Sequence, residues 1–265
     1  MSMKAACVAV LGVACLAMWL AADVPQHATG WVHEYPTPMT REEAAVTVNG
    51  VEEIWALRWK LAPKPECEVY EFAITCPCHG FEYGEAGDLE LVRMRGRIVF
   101  DRLALSTFFE EGFSSDKAVA ILPRWSMTDD DSDDTIKERR LVRVMDFADY
   151  DHDGRESEFY LTSETISCGH TYGMVVGVSK TNPRLHVFGT ASHPDKPLYL
   201  QEDEWEALRK ATGPVEMVDW QCEDHGAQEE TVVNLFWTES GIDGRRRNYA
   251  CGPGGRGKLI SEEPL

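Results

Sequence analysis

From Asn49-Gly50 onward the chain is apolar at every second residue: Trp55, Leu57, Trp59 and Leu61 alternate with Ala56, Arg58 and Lys60. Side chains two apart leave a strand on the same side, so this stretch buries one face of a sheet. Asn-Gly tolerates left-handed backbone at both positions, which makes Asn49-Gly50 a hairpin turn. Tyr70, Phe72 and Ile74 repeat the alternation before Cys76, and Leu89–Leu91 and Ile98–Phe100 flank Arg95-Gly96 as a second hairpin. Further strands are expected at Leu141–Met145, Phe159–Thr162, Met174–Val178, Leu185–Phe188, Val215–Trp220, Val232–Trp237 and Arg246–Cys251. Helical patterns are short: one turn after the capping box Thr40-Arg41-Glu42-Glu43, then Arg102–Glu111 stopped at Gly112, then Gln201–Ala211 stopped by Gly213-Pro214. The fold class is therefore mainly β with two or three short helices, on the border of α+β.

The alternation does not begin at the first residue. Met1–Ala22 carries Lys4, an unbroken apolar run from Ala5, and small residues before Asp23, the three parts of a cleaved secretory signal. Residues 23–39 hold three prolines and little periodicity, and read as an irregular arm. Asp129, Asp130, Asp131, Asp133 and Asp134 form a solvated acidic linker over residues 129–138. It separates an N-terminal β-rich domain, 40–128, from a C-terminal one, 139–265. Gly252-Pro253-Gly254-Gly255-Arg256-Gly257 reads as a flexible tail.

Export changes the meaning of charge and of cysteine. The chain has a formal net charge of −19, which repels nucleic acid and anionic lipid and keeps an exported protein in solution. No second apolar run is long enough to span a membrane after the signal is removed. Cys67, Cys76, Cys78, Cys168, Cys222 and Cys251 remain after cleavage, an even set in an oxidising compartment, so disulfides are the default. Cys67 with Cys76 or Cys78, and Cys222 with Cys251, are the pairings considered.

One stretch has a specific chemical grammar: Asp149-Tyr150-Asp151-His152-Asp153-Gly154-Arg155-Glu156-Ser157-Glu158. Carboxylates at alternate positions of a tight loop turn toward one point, and the glycine permits the sharp bend. Calcium, a hard cation that takes six to eight oxygens, is the expected cofactor. Asp149, Asp151 and Asp153 are the expected ligands, completed by the Arg155 carbonyl and by Glu156 or Glu158. The competing reading is an acidic turn whose aspartates cap backbone amides. An EF-hand is excluded, because position twelve is Tyr160 and both flanks are strand-like.

Strand, DxDxDG loop and strand, from Val144 to Leu161, resemble the calcium loops of FG-GAP repeats, the blades of integrin-alpha-type propellers. The resemblance implies loop carboxylates on calcium and a partial propeller-blade-like repeat over Leu141–Gly189. The family's acid at the ninth loop position is Ser157 here, with Glu158 one residue later. Secreted bacterial proteins carrying one such loop are similar.

Other chemistry is thinner. Cys76-Pro77-Cys78-His79, Cys168-Gly169-His170 and Cys222-Glu223-Asp224-His225 place thiols beside imidazoles, an alternative set for a transition metal. Their order rules out a Rieske cluster, and no C-x-x-C-H exists for haem attachment. No H-E-x-x-H, P-loop or G-x-S-x-G is present, and Gly177-Val178-Ser179-Lys180 lacks the second glycine. Of Trp55, Trp59, Trp125, Trp205, Trp220 and Trp237, most fall on alternating or amphipathic patterns, which favours core packing over a sugar- or peptide-binding face. The functional expectation is an exported acidic protein with a structural calcium loop, serving as a binding or structural module for an extracytoplasmic protein or glycan. The alternatives are a secreted hydrolase with a dispersed site and a Cys/His transition-metal protein.

Overall fold

A computed structural model describes residues 39–66, 84–109, 119–126, 140–165, 171–223, 226–238 and 241–265. The signal segment, most of the arm, the acidic linker, and the Tyr70–Ile74 strand with Cys67, Cys76, Cys78 and Cys168 lie outside these residues.

In chain order the strands are β1 (Met39–Val48), β2 (Val51–Trp59), β3 (Lys64–Glu66), β4 (Gly84–Gly87), β5 (Leu89–Arg95) and β6 (Ile98–Ala104). After a 3-10 turn at Leu105–Phe108 come β7 (Ala120–Pro123), β8 (Trp125–Ser126), β9 (Arg140–Leu141), β10 (Phe147–Ala148), β11 (Glu158–Thr165) and β12 (Thr171–Gly177). They are followed by β13 (His186–Val187), β14 (Leu200–Gln201), helix α1 (Glu202–Lys210), β15 (Val215–Trp220), β16 (Glu229–Thr238), β17 (Gly241–Gly252) and β18 (Gly255–Pro264). The protein is mainly β, and every pairing between these strands is antiparallel.

Three sheets carry the architecture: β1-β2-β5-β6; β10-β11-β12-β13 with β14 also on β12; and β15-β16-β17-β18. The middle one is buried on both faces. Phe159, Leu161, Met174 and Val176 join Trp55, Leu57, Trp59, Leu89 and Leu91 in one core, whereas Val175 meets Trp205, Leu208, Val233 and Leu235 in the other. Period two explains this: residues of opposite parity on β12 face opposite layers, so both parities must be apolar. Strands from both sides of the acidic linker share the first core, and Pro36–Leu265 forms one compact unit.

Both expected hairpins are present. Asn49 and Gly50 have φ of 52° and 77°, the doubly left-handed turn whose twist matches a two-residue hairpin. The expected helix at 201–211 is α1. Its first turn carries Glu202, Asp203 and Glu204 and its last carries Arg209 and Lys210, each complementing the helix dipole. Trp205 and Leu208 are its buried face, and Trp205 Nε1 donates to the Gly173 carbonyl at 3.3 Å.

Other expectations need correction. Thr40–Glu43 starts no helix but lies in β1, and Arg102–Ala104 belongs to β6, so α1 is the one α-helix among the described residues. Leu61 lies beyond β2 and is exposed. Of Leu141–Met145, only Leu141 is strand. The N–H groups of Val144 and Met145 instead donate to the Glu42 carboxylate at 2.7 and 3.1 Å, a side chain standing in for a strand partner. The Gly-Pro-Gly-Gly stretch is the turn of the β17–β18 hairpin, not a tail. β18 is the outermost strand of its sheet, and its register slips twice, once at Ile260 and again between Leu259 and Arg256. Cys222 and Cys251 form a disulfide with Cα atoms 5.4 Å apart, tying the end of β17 to the turn after β15.

Charged groups stitch the layers. The β1 register shifts between Thr40 and Glu42, which turns Arg41 inward. Its guanidinium pairs with Glu85 and donates to the carbonyls of Pro123 and Val142 at 2.8 and 2.9 Å. Arg93 is buried between Glu53, at 2.8 Å, and Asp101, at 3.4 Å, and also donates to the Pro183 carbonyl. Burial would raise the Glu53 carboxyl, but the Arg93 and Arg95 guanidiniums hold it below its ordinary range. Removing Arg93 takes the buried cation from Glu53 and Asp101 and leaves them only the exposed Arg95 and Arg184. Arg93→Gln is expected to lower the unfolding free energy in urea by about 3–5 kcal/mol. Arg95, whose side chain is 57% exposed, is expected to cost about 0–1 kcal/mol when changed to Gln.

Candidate functional site

The aspartate loop connects β10 to β11, which pair with Phe147 opposite Phe159 and Ala148 opposite Glu158. That last pair sets Asp149 and Glu158 at the two feet of one hairpin. Between them the chain turns through His152 and Gly154, with φ of 60° and 83°. Inside the turn, Asp149 accepts the N–H groups of Asp153 and Gly154 at 3.0 and 2.9 Å, and Asp151 also accepts from Asp153 at 3.0 Å. The capping role is therefore filled, and it consumes only part of the oxygen valence.

Carboxylate oxygens of Asp149, Asp151 and Glu158 all lie within 4.8 Å of one another. Asp153 and Glu156 are not in this trio. Asp153 turns away to the Arg155 guanidinium, with Nε at 2.9 Å, and to the Lys180 N–H at 2.9 Å. Arg155 also donates to Asn49 Oδ1 at 2.7 Å, anchoring the loop to the β1–β2 turn. Glu156 is exposed.

Glu158 is fully buried and closely held. Tyr150 N–H donates to its Oε2 at 3.0 Å, and Ser157 Oγ lies 2.6 Å from its Oε1 and 3.1 Å from the Val178 carbonyl. One hydroxyl hydrogen thus faces two acceptors, a conflict that vanishes when Glu158 is protonated and donates to Ser157. Gly177 on β12 makes this packing feasible: a Cβ there would meet Glu158 Cα at 2.8 Å. The loop is also fastened to α1. Tyr150 packs edge-on against Trp205 at 6.2 Å, and His152 Nε2 donates to the Arg209 carbonyl at 2.7 Å.

Burial pushes the Glu158 carboxyl up to about 8, with the charges of Asp151 and Asp153 adding to the rise against the hydrogen bonds of Ser157 and Tyr150. Asp151 is raised to about 6, by burial first and then by Asp153 and Asp149. Asp153 moves the other way despite burial, held down by Arg155 and Lys180.

One side of the loop opens on a groove of about 1040 Å³, with Asp151, Asp153, Lys180, Asn182, His186 and Trp237 on its walls. His186 stacks on Phe188 at 4.5 Å and its Nδ1 donates to the Arg184 carbonyl at 2.8 Å, while Asp101 is engaged by Arg93 and by the Leu185 N–H. Each is occupied by structural contacts. Of the Cys/His sets, Cys222 is consumed by its disulfide, so it offers no thiolate. The others lie outside the described residues.

Comparison with protein-family models, with curated proteins and with solved structures returns no match for this chain.

Ser157, Gly177 and Lys180 escape a reading of the sequence. Ser157 stands where the FG-GAP pattern has an acid, and the other two come from a distant strand end. Tyr150 is flanked by aspartates and looks like a spacer.

Without divalent cations, Glu158 and Asp151 link folding to pH. Their folded pKa values lie above the unfolded ones, so the native state holds the extra protons, and stability falls as pH rises from about 4 through about 8. In chelator, the unfolding free energy is expected to drop by on the order of 2–4 kcal/mol between pH 5 and pH 8.5. Glu158→Gln should flatten most of that slope, and equal slopes for both proteins would contradict it.

Proposed function

We propose that this protein is an exported calcium-binding module, in which one cation fastens the β10–β11 hairpin and the groove beside it receives an extracytoplasmic protein or glycan. The observation that carries the reading is the convergence of Asp149, Asp151 and Glu158 within 4.8 Å, on a hairpin anchored to α1, to the β1–β2 turn and to the segment after β12. The donor set is all oxygen, which suits a hard cation and not zinc or copper. Three acids sharing so small a space repel one another, and a divalent cation removes that repulsion together with the need for protons. Its contribution is structural: it locks the turn. The Cys222–Cys251 disulfide and the apolar start of the chain support export. Among the described residues no helix is long and apolar enough to cross a membrane.

Calcium at about 100 times its dissociation constant is expected to add about 2.7 kcal/mol, which for a chain of this size raises the melting temperature by roughly 5–10 °C relative to chelator. Asp151→Ala with Glu158→Gln should abolish the gain, and Asp153→Ala should keep most of it. A melting temperature indifferent to calcium and chelator, read by differential scanning calorimetry, would overturn the proposal.

A further inference from the structure

The residue that leaves the acidic trio does something else. Asp153 receives the backbone N–H of Lys180 on Oδ2 at 2.9 Å, and its carbonyl receives the Lys180 ammonium. Lys180 stands near the start of the segment 179–185, which runs along the groove and carries Asn182, Arg184 and Leu185 on its wall. The far end of that segment is fixed to the first sheet, through the Pro183 carbonyl on Arg93 and the Leu185 N–H on Asp101 at 2.8 Å. Its middle is closed on itself, with Ser179 N–H to the Asn182 carbonyl at 2.9 Å and Asn182 N–H to Ser179 Oγ at 2.9 Å. The segment is a short rigid turn with two attachments, one to the sheet and one to the aspartate loop.

On the loop side, the N–H of Asp153 is held by Asp149 and Asp151, two members of the trio. A continuous line of contacts therefore runs from the trio through the Asp153 backbone and carboxylate to Lys180 and the groove wall. We infer that Asp153 is a strut that transmits cation occupancy of the loop to the 179–185 wall of the groove. This inference rests on the calcium reading above. It gives Asp153 a positioning role in place of a ligand role, and it makes the groove's shape depend on calcium. Free of calcium, the repelling trio loosens its grip on the Asp153 N–H, and the wall keeps only its attachment to the sheet. Bound calcium restores both.

Hydrogen exchange followed by mass spectrometry on the full chain, in chelator and in saturating calcium, separates the possibilities. In the wild type, calcium is expected to slow exchange in 149–158 and also at the amides of Ser179, Lys180, Asn182, Arg184 and Leu185, by about 5- to 100-fold. In Asp153→Ala, protection of 149–158 by calcium should persist while protection of 179–185 is lost, and Lys180→Ala should weaken it in the same place. Protection of the loop without any change at 179–185 in the wild type overturns the strut and leaves the calcium site standing. Equal protection of 179–185 in wild type and Asp153→Ala also overturns it. Absence of protection everywhere removes the calcium site itself, and the strut with it.

Discussion

The buried guanidinium of Arg93 is the contact on which the arrangement of this protein turns. It rises from a central strand of the first sheet, neutralises Glu53 and Asp101, lies over the ring of Trp55 at 5.6 Å, and reaches out to the Pro183 carbonyl in the β12–β13 connection. Three ions taken out of water are costly, and such a group is retained only where each charge finds a partner and each N–H an acceptor. Here the return is registration. Apolar cores hold layers together but let them slide, whereas a forked donor with fixed acceptors admits one alignment. The groove wall and the first sheet are aligned by that fork.

The same device recurs at the opposite edge, where the β1 bulge turns Arg41 and Glu42 into cross-layer ligands for Pro123, Val142, Val144 and Met145. A chain of net charge −19 thus keeps part of its charge inside as connectors, not all of it outside for solubility. The aspartate loop belongs to this pattern but ends differently. Glu53 and Asp101 share a protein cation, and Asp153 has Arg155, but among the described residues no arginine or lysine forms an ion pair with Asp149, Asp151 or Glu158.

How much of this was written locally can be judged residue by residue. The hairpin at Asn49-Gly50, the strand at Trp55–Trp59, the α1 stop and the strand β15 follow from short-range pattern, because turn chemistry and period two are properties of neighbours. The Asp149 and Asp151 pair was legible for the same reason. What failed was non-local. Val144 and Met145 look like strand, yet their amides are satisfied by a carboxylate about a hundred residues away. Thr40–Glu43 carries a helix-start signal that sheet pairing overrides, since β1 has β2 beside it and no apolar helical face to bury. Asp153 fits the ligand pattern in sequence, and only the positions of Arg155 and Lys180 show its carboxylate spent elsewhere. The choice of Glu158 over Glu156 depends on where the ladder starts: Glu158 opens β11 opposite Ala148, whereas Glu156 precedes the ladder and is exposed.

The double slip in β18 bears on how this molecule meets copies of itself. A growing β-assembly needs an outer strand whose amides and carbonyls recur at regular spacing, and here the spacing breaks at Ile260 and again before Leu259, with Lys258, Glu262 and Glu263 along the remainder. A second chain arriving there would find an unbroken register of at most four residues, Ser261 to Pro264. The four-stranded sheet of β15–β18 therefore ends in an irregular hem, a poor template for the addition of a further strand.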